Sequence, residues 1–163
     1  MTEPVRICFV CWGNICRSPT AEGIMRALVA EAGLEDRIVV DSAGTSSDEL
    51  GNQVDPRTRA EALRRGLVLS HTAWRFEADD FDRFDLVVAA DAVNEDRLRR
   101  RARTPVDRGK ISLLRSHDPD ASPHDLDVPD PWYGGADGFV LVYDQIEAAC
   151  RGLLESLRAD DSW

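Results

Sequence analysis

A chain of 163 residues, 43% of them hydrophobic, suits one domain over residues 1–163 built round one core. Its 30 acidic and 20 basic side chains leave a formal charge of −10, which argues against nucleic acid as the main partner and requires any anion site to be positive locally. No apolar run reaches the length of about 18 residues that a membrane span needs, and "MTEPVRICFVCWGN" has acid and proline where a signal peptide carries basic residues, so no membrane partner and a cytoplasmic location are expected, with leaderless export left open. In chain order, "VRICFV" (5–10) reads as a buried strand. The bend "CWGNICRS" (11–18) leads into a helix, "PTAEGIMRALVAEAG", that opens on Pro19, carries Glu22 in its first turn and stops at Gly33. Ile24 and Leu28, joined by Ala21 and Ala32, form its inner stripe. "RIVVDSAG" is a second strand, "TSSDELGNQVD" a loop rich in turn residues, and "PRTRAEALRRGL" a short helix. "DLVVAAD" is the third strand, "NEDRLRRRAR" a charged helix whose arginines read as a solvated face, and "KISLL" the fourth strand. Residues 115–135 form a loop long enough to suggest function. "DGFVLVYDQIEAACRGLLESLRA" closes the chain as an amphipathic helix with Phe139, Val142, Ile146, Ala149, Leu153 and Leu157 inward.

Four buried strands alternating with helices predict an α/β fold: a doubly wound, four-stranded parallel sheet with helices on both faces. Ligands of such sheets sit at the carboxyl ends of strands where the strand order switches. Residues 11–18 occupy that place, between the first strand and the first helix. Gly13 and Asn14 suit left-handed backbone angles, and Ser18-Pro19 marks a helix start, so the loop can turn its N–H groups inward beside the positive helix end. Such a cradle meets the need for local positive charge. It also favours a thiolate at Cys11, while the planar fork of Arg17 can clamp two oxygens of a tetrahedral oxyanion. The competing reading is a structural turn holding an inert Cys11. Four cysteines (Cys8, Cys11, Cys16 and Cys150) make no disulfide scaffold at this length, and His71, His117 and His124 show no paired ligand spacing. No metal and no cofactor are therefore expected, and Cys8 and Cys150 read as core.

"CWGNICRSP" closely resembles the phosphate loop of the low-molecular-weight protein tyrosine phosphatases. The resemblance continues in the expected order through "DSAGTSS", "DPR" (55–57), "DLVVAAD" and "DPWYG" (130–134), over nearly the whole chain. It implies hydrolysis of phosphotyrosine in a protein substrate, and of aryl phosphate monoesters, with Cys11 forming a phosphocysteine and Arg17 holding the equatorial oxygens. The loop would comprise Trp12, Gly13, Asn14, Ile15, Cys16 and Ser18. Three carboxylates, Asp125, Asp127 and Asp130, crowd the late loop as candidates to protonate the leaving oxygen. Prolines on both sides stiffen Asp130, and Trp132 and Tyr133 follow as walls for an aromatic leaving group. The resemblance selects the same residue, and implies that it then acts as base for water.

Supporting roles follow from the resemblance. Ser18 would donate to the Cys11 sulfur, cap the helix, or both. Asn14 would fix the left-handed turn, with Ser42 and His71 as braces and His71 structural rather than catalytic. Asp91 matches a loop-supporting position but could equally cap the helix after it. Cys16 would pair reversibly with Cys11 against over-oxidation, or simply fill the loop. Two features depart from the family pattern: Trp12 stands where a smaller residue is usual, and Asp48 and Glu49 stand where relatives often place an aromatic. Acids at that rim are expected to disfavour acidic phosphopeptides and weaken stacking. Arsenate reductase on the same fold is a weaker alternative, since no cysteine lies between Cys16 and Cys150 to form a redox relay. A phosphocysteine carrier would have to preserve the intermediate that Asp130 would help to hydrolyse. A monomer is expected, with weak dimerisation left open.

Overall fold

In the computed structural model, which describes residues 3–160, four strands form one parallel sheet in the order β2-β1-β3-β4. The strands are β1 (Val5–Cys11), β2 (Ile38–Gly44), β3 (Leu86–Ala89) and β4 (Ile111–Leu113). Between and after them lie α1 (Arg17–Glu31), α2 (Pro56–Arg64), α3 (Ala92–Arg101), α4 (Pro105–Gly109) and α5 (Ala136–Ala159). The expected α/β fold is the one observed. Because β1 pairs with β2 on one side and β3 on the other, the order switches at β1, and Cys11, opposite Gly44, ends that strand.

The alternation of β1 divides the core in two. Ile7, Phe9 and Cys11 face a cluster with Ile24 and Leu28 of α1 and Ile146 and Leu153 of α5. Cys8 and Val10 face the other side, against Phe76, Phe81, Phe84 and Leu98. Cys8 and Cys150 are both fully buried, as expected of core thiols. Phe139 is buried as expected, but in a separate cluster from the rest of the α5 stripe: it packs with Ile15, Cys16 and Ala73 against the bend after β1. Gly152 lets α5 lie directly on the turn at Leu114–His117, since an added Cβ would sit 1.8 Å from the His117 carbonyl oxygen. Backbone cannot yield there as a side chain would. Gly152→Ala is therefore expected to destabilise the fold by about 1–3 kcal/mol or more, read as a lower urea midpoint with unchanged slope.

Several boundaries differ from the sequence reading. α1 begins at Arg17, so Pro19 is its third residue, still among the first four whose N–H groups have no helical partner. Glu22 consequently leaves the first turn and is buried. α4 was not anticipated, although Thr104 accepts from the Asp107 N–H at 3.1 Å and Pro105 opens the helix. The long loop contains two short 3-10 turns, Leu114–His117 and Pro131–Tyr133. The arginines of α3 are only partly a solvated face: Arg99 and Arg100 pair along the helix with Glu95 and Asp96, while Arg97 and Arg101 reach the Thr45 carbonyl. Among the described residues no helix is long and apolar enough to cross a membrane.

Candidate active site

The bend between β1 and α1 wraps round the Cys11 sulfur. The Asn14 and Ser18 N–H groups point at Sγ from 3.3 and 3.4 Å, and Ser18 Oγ lies 3.0 Å away. Asn14 has φ 62°, the one positive value for a non-glycine among the described residues, and this left-handed step aims its N–H inward. Gly13 does not share that conformation, contrary to the expectation. A Cβ there would meet Glu49 Cγ at 3.0 Å, so a side chain at this position would have to shift that of Glu49. Gly44 of β2 serves the close approach of the loop, as a Cβ there would lie 2.9 Å from the Trp12 carbonyl oxygen. Ser18 is the second residue of α1, not its cap; the capping position is Cys16, which makes no side-chain capping bond.

Asn14 ties this loop to the sheet. Its amide nitrogen donates to Ser18 Oγ at 2.8 Å and Ser42 Oγ at 3.0 Å. Its amide oxygen accepts from the Trp74 N–H at 3.1 Å and lies 2.8 Å from His71 Nε2. The other ring nitrogen of His71 is 3.1 Å from Glu22 Oε1, to which Ser42 Oγ donates at 2.7 Å. Ser42 and His71 thus both contact Asn14 of the loop, joined by the buried carboxylate of Glu22, which the sequence reading missed. Burial raises the pKa of Glu22, against the opposing pull of Ser42, His71 and Arg26. Ligand atoms of Glu22, Asp41 and His71 lie within 4.8 Å of one another, but Arg26 already pairs with Glu22 Oε2 while Ser42 and His71 face Oε1, so this is a hydrogen-bond network.

Arg17 is buried beside the sulfur. Its Nη1 donates to Asp91 Oδ2 at 2.6 Å and to the Val128 carbonyl at 2.9 Å, and its Nη2 lies 3.8 Å from Asp130 Oδ2. Burial opposes the guanidinium charge, yet Cys11 and then Asp91 outweigh it and hold the pKa above its ordinary value. Asp91 both pairs with Arg17 and, through its other oxygen, caps α3 by accepting from the Asn94 N–H at 2.8 Å.

A cleft of about 180 Å³ opens over the loop, lined by Cys11, Trp12, Gly13, Ile15, Cys16, Arg17, Asp48, Glu49, Asp130 and Trp132. A larger hollow of about 760 Å³, beside Val5, Arg6, Asp85 and Lys110, has none of these residues in its wall. The three candidate acids separate cleanly. Asp125 pairs with Arg115 at 3.4 Å, Asp127 accepts from the Ala92 N–H at 2.9 Å, and Asp130 alone of the three lines the cleft. Asp130 Oδ1 accepts from the Trp132 N–H at 3.0 Å, which leaves Oδ2 on the Arg17 side. Arg57, also missed in the sequence, lies over the Trp132 ring at 5.2 Å and the Phe139 ring at 4.8 Å, anchored by Asp55 at 3.1 Å. The Tyr133 side chain lies outside the described residues. All four cysteines are free, and burial pushes the Cys16 thiol up to about 12, so Cys16 is held as a neutral thiol.

The family model described as low molecular weight phosphotyrosine protein phosphatase matches residues 6–162. A low molecular weight protein-tyrosine-phosphatase of Streptomyces coelicolor is 51% identical over 153 residues, covering 94% of this chain and 93% of its own length. A crystal structure of a protein tyrosine phosphatase from Entamoeba histolytica matches with a TM-score of 0.90 at 35% identity, over 94% of this chain and 97% of that one. The structure of a Drosophila arginine phosphatase matches with a TM-score of 0.87, also at 35% identity, over 95% and 99% of the two chains. Sequence match over nearly the full length and a shared fold lead to one assignment: the chain belongs to the low molecular weight phosphotyrosine protein phosphatase family, and with it to the hydrolases that act as protein-tyrosine-phosphatases.

Proposed function

We propose that this chain hydrolyses phosphotyrosine in proteins through a phosphocysteine on Cys11, with Asp130 as acid and then base. The observation that carries this reading is a sulfur ringed by two backbone N–H groups and the Ser18 hydroxyl, in the same cleft as Arg17 and Asp130. Donors fixed by the fold before substrate arrives stabilise negative charge on sulfur and on phosphoryl oxygens without reorganisation. The Cys11 thiolate attacks phosphorus, the P–O ester bond breaks, and the protonated carboxyl of Asp130 gives its proton to the departing phenolic oxygen. Asp130, now a carboxylate, takes a proton from water as that water attacks phosphorus. The P–S bond breaks, and inorganic phosphate leaves with the thiolate and the acid restored. Arg17, held by Asp91, stabilises the equatorial oxygens throughout.

The placement of Asp130 favours hydrolysis over a carrier, because the second step needs a base beside phosphorus. An arsenate reductase reading gains no support from Cys150, which is buried with its thiol towards the Ala21 carbonyl. Four free thiols suit a reducing cytoplasm as the place of action. The purified chain is expected to release phosphate from p-nitrophenyl phosphate in the presence of EDTA, and to be inhibited by vanadate. Phosphotyrosyl peptides should be preferred over phosphoarginine peptides. Absence of phosphate release would overturn the catalytic reading, and faster turnover of the phosphoarginine peptide would overturn the substrate.

A further inference from the structure

Two tryptophans line the cleft, from different parts of the chain. Trp132 follows Asp130, whereas Trp12 belongs to the phosphate loop itself and is 36% exposed. A tryptophan on a surface loop ordinarily samples several rotamers, and binding must then order it. Trp12 is ordered beforehand on three sides. Its indole N–H donates to Asp48 Oδ2 at 2.8 Å, the Arg97 guanidinium lies 4.4 Å from the ring centroid, and its carbonyl accepts from the Thr45 and Ser46 N–H groups at 3.1 and 3.0 Å. Arg97 is itself held, donating to the Thr45 carbonyl at 3.1 Å. Asp48, which the sequence set against aromatic stacking, therefore holds an aromatic in place.

We infer that Trp12 is a specificity-determining wall of the cleft, selecting phosphate esters of flat rings over those of alkyl alcohols, and that Asp48 and Arg97 are positioning residues that hold it. The inference rests on the phosphatase reading for where phosphate sits, not for its turnover.

Binding to the Cys11→Ser chain tests this without turnover, using phosphotyrosine, phosphoserine and inorganic phosphate in parallel titrations. Trp12→Leu in that background is expected to lower the preference for phosphotyrosine over phosphoserine about three- to tenfold, the worth of one aromatic contact. Arg97→Gln should lower the same preference in part, with inorganic phosphate affinity unchanged, and Arg97→Lys, which keeps a cation over the ring, should restore it. An unchanged preference in Trp12→Leu would overturn the inference. So would an equal loss for all three ligands, which would make Trp12 a support of the loop alone. Failure of the parent chain to hydrolyse p-nitrophenyl phosphate would count against the catalytic reading and leave these binding ratios measurable.

Discussion

Cys11→Ser is expected to lower turnover of p-nitrophenyl phosphate by about 10⁴-fold or more while phosphate binding persists. The two effects separate because different atoms carry them. On the proposed mechanism, binding rests on the Asn14 and Ser18 N–H groups and on Arg17, all set by backbone and by Asp91. Turnover depends on an ionised sulfur, and a serine hydroxyl in the same ring of donors keeps its proton. The second thiol of the cleft offers no substitute: Cys16 is held as a neutral thiol by burial, with its pKa pushed up to about 12. Stopped-flow turnover alongside equilibrium phosphate binding checks both halves. Activity within about 100-fold of the parent chain would mean that sulfur is not the nucleophile.

The second large effect belongs to Asp130→Asn, expected to slow phenyl phosphate by about 10²–10³-fold and p-nitrophenyl phosphate by clearly less. A good leaving group departs as an anion, whereas phenoxide needs the proton. The substitution isolates that role, because an asparagine side-chain oxygen can still accept from the Trp132 N–H, a bond of 3.0 Å that caps the turn at Pro131–Tyr133. A series of aryl phosphates of graded leaving-group acidity gives the measurement. Equal slowing across the series would make Asp130 a charge partner of Arg17, not an acid.

The strand, the loop and the helix after it were legible because each announces itself locally: an apolar run, a left-handed asparagine, a proline in a first turn. The place of Asp130 in the cleft was legible from its flanking prolines and aromatics together with the family resemblance, which set it apart from two nearby acids. What stayed hidden depends on contacts between distant stretches. Glu22 sits on α1 with nothing in the helical period to separate it from a surface acid, until β2 and the His71 loop pack over it. Arg97 read as part of a solvated helix face and Arg57 only as the end of a "DPR" motif, and only the fold places them over Trp12 and Trp132. Gly13 misled for the opposite reason: a glycine in a loop suggests unusual backbone angles, whereas this one has no positive φ and lies close against Glu49.

Arg17 has a consequence for how substrate is captured. The guanidinium is faced by Asp91 at 2.6 Å and Asp130 at 3.8 Å, in a chain whose formal charge is −10. Seen from beyond a Debye length of about 8 Å, the mouth is no beacon for an anion. A doubly negative ester would meet its attraction at close range, from the Asn14 and Ser18 N–H groups and from Arg17. On the proposed mechanism, capture of the phosphate rests on these directed donors at close range, with no help from the net charge of the chain.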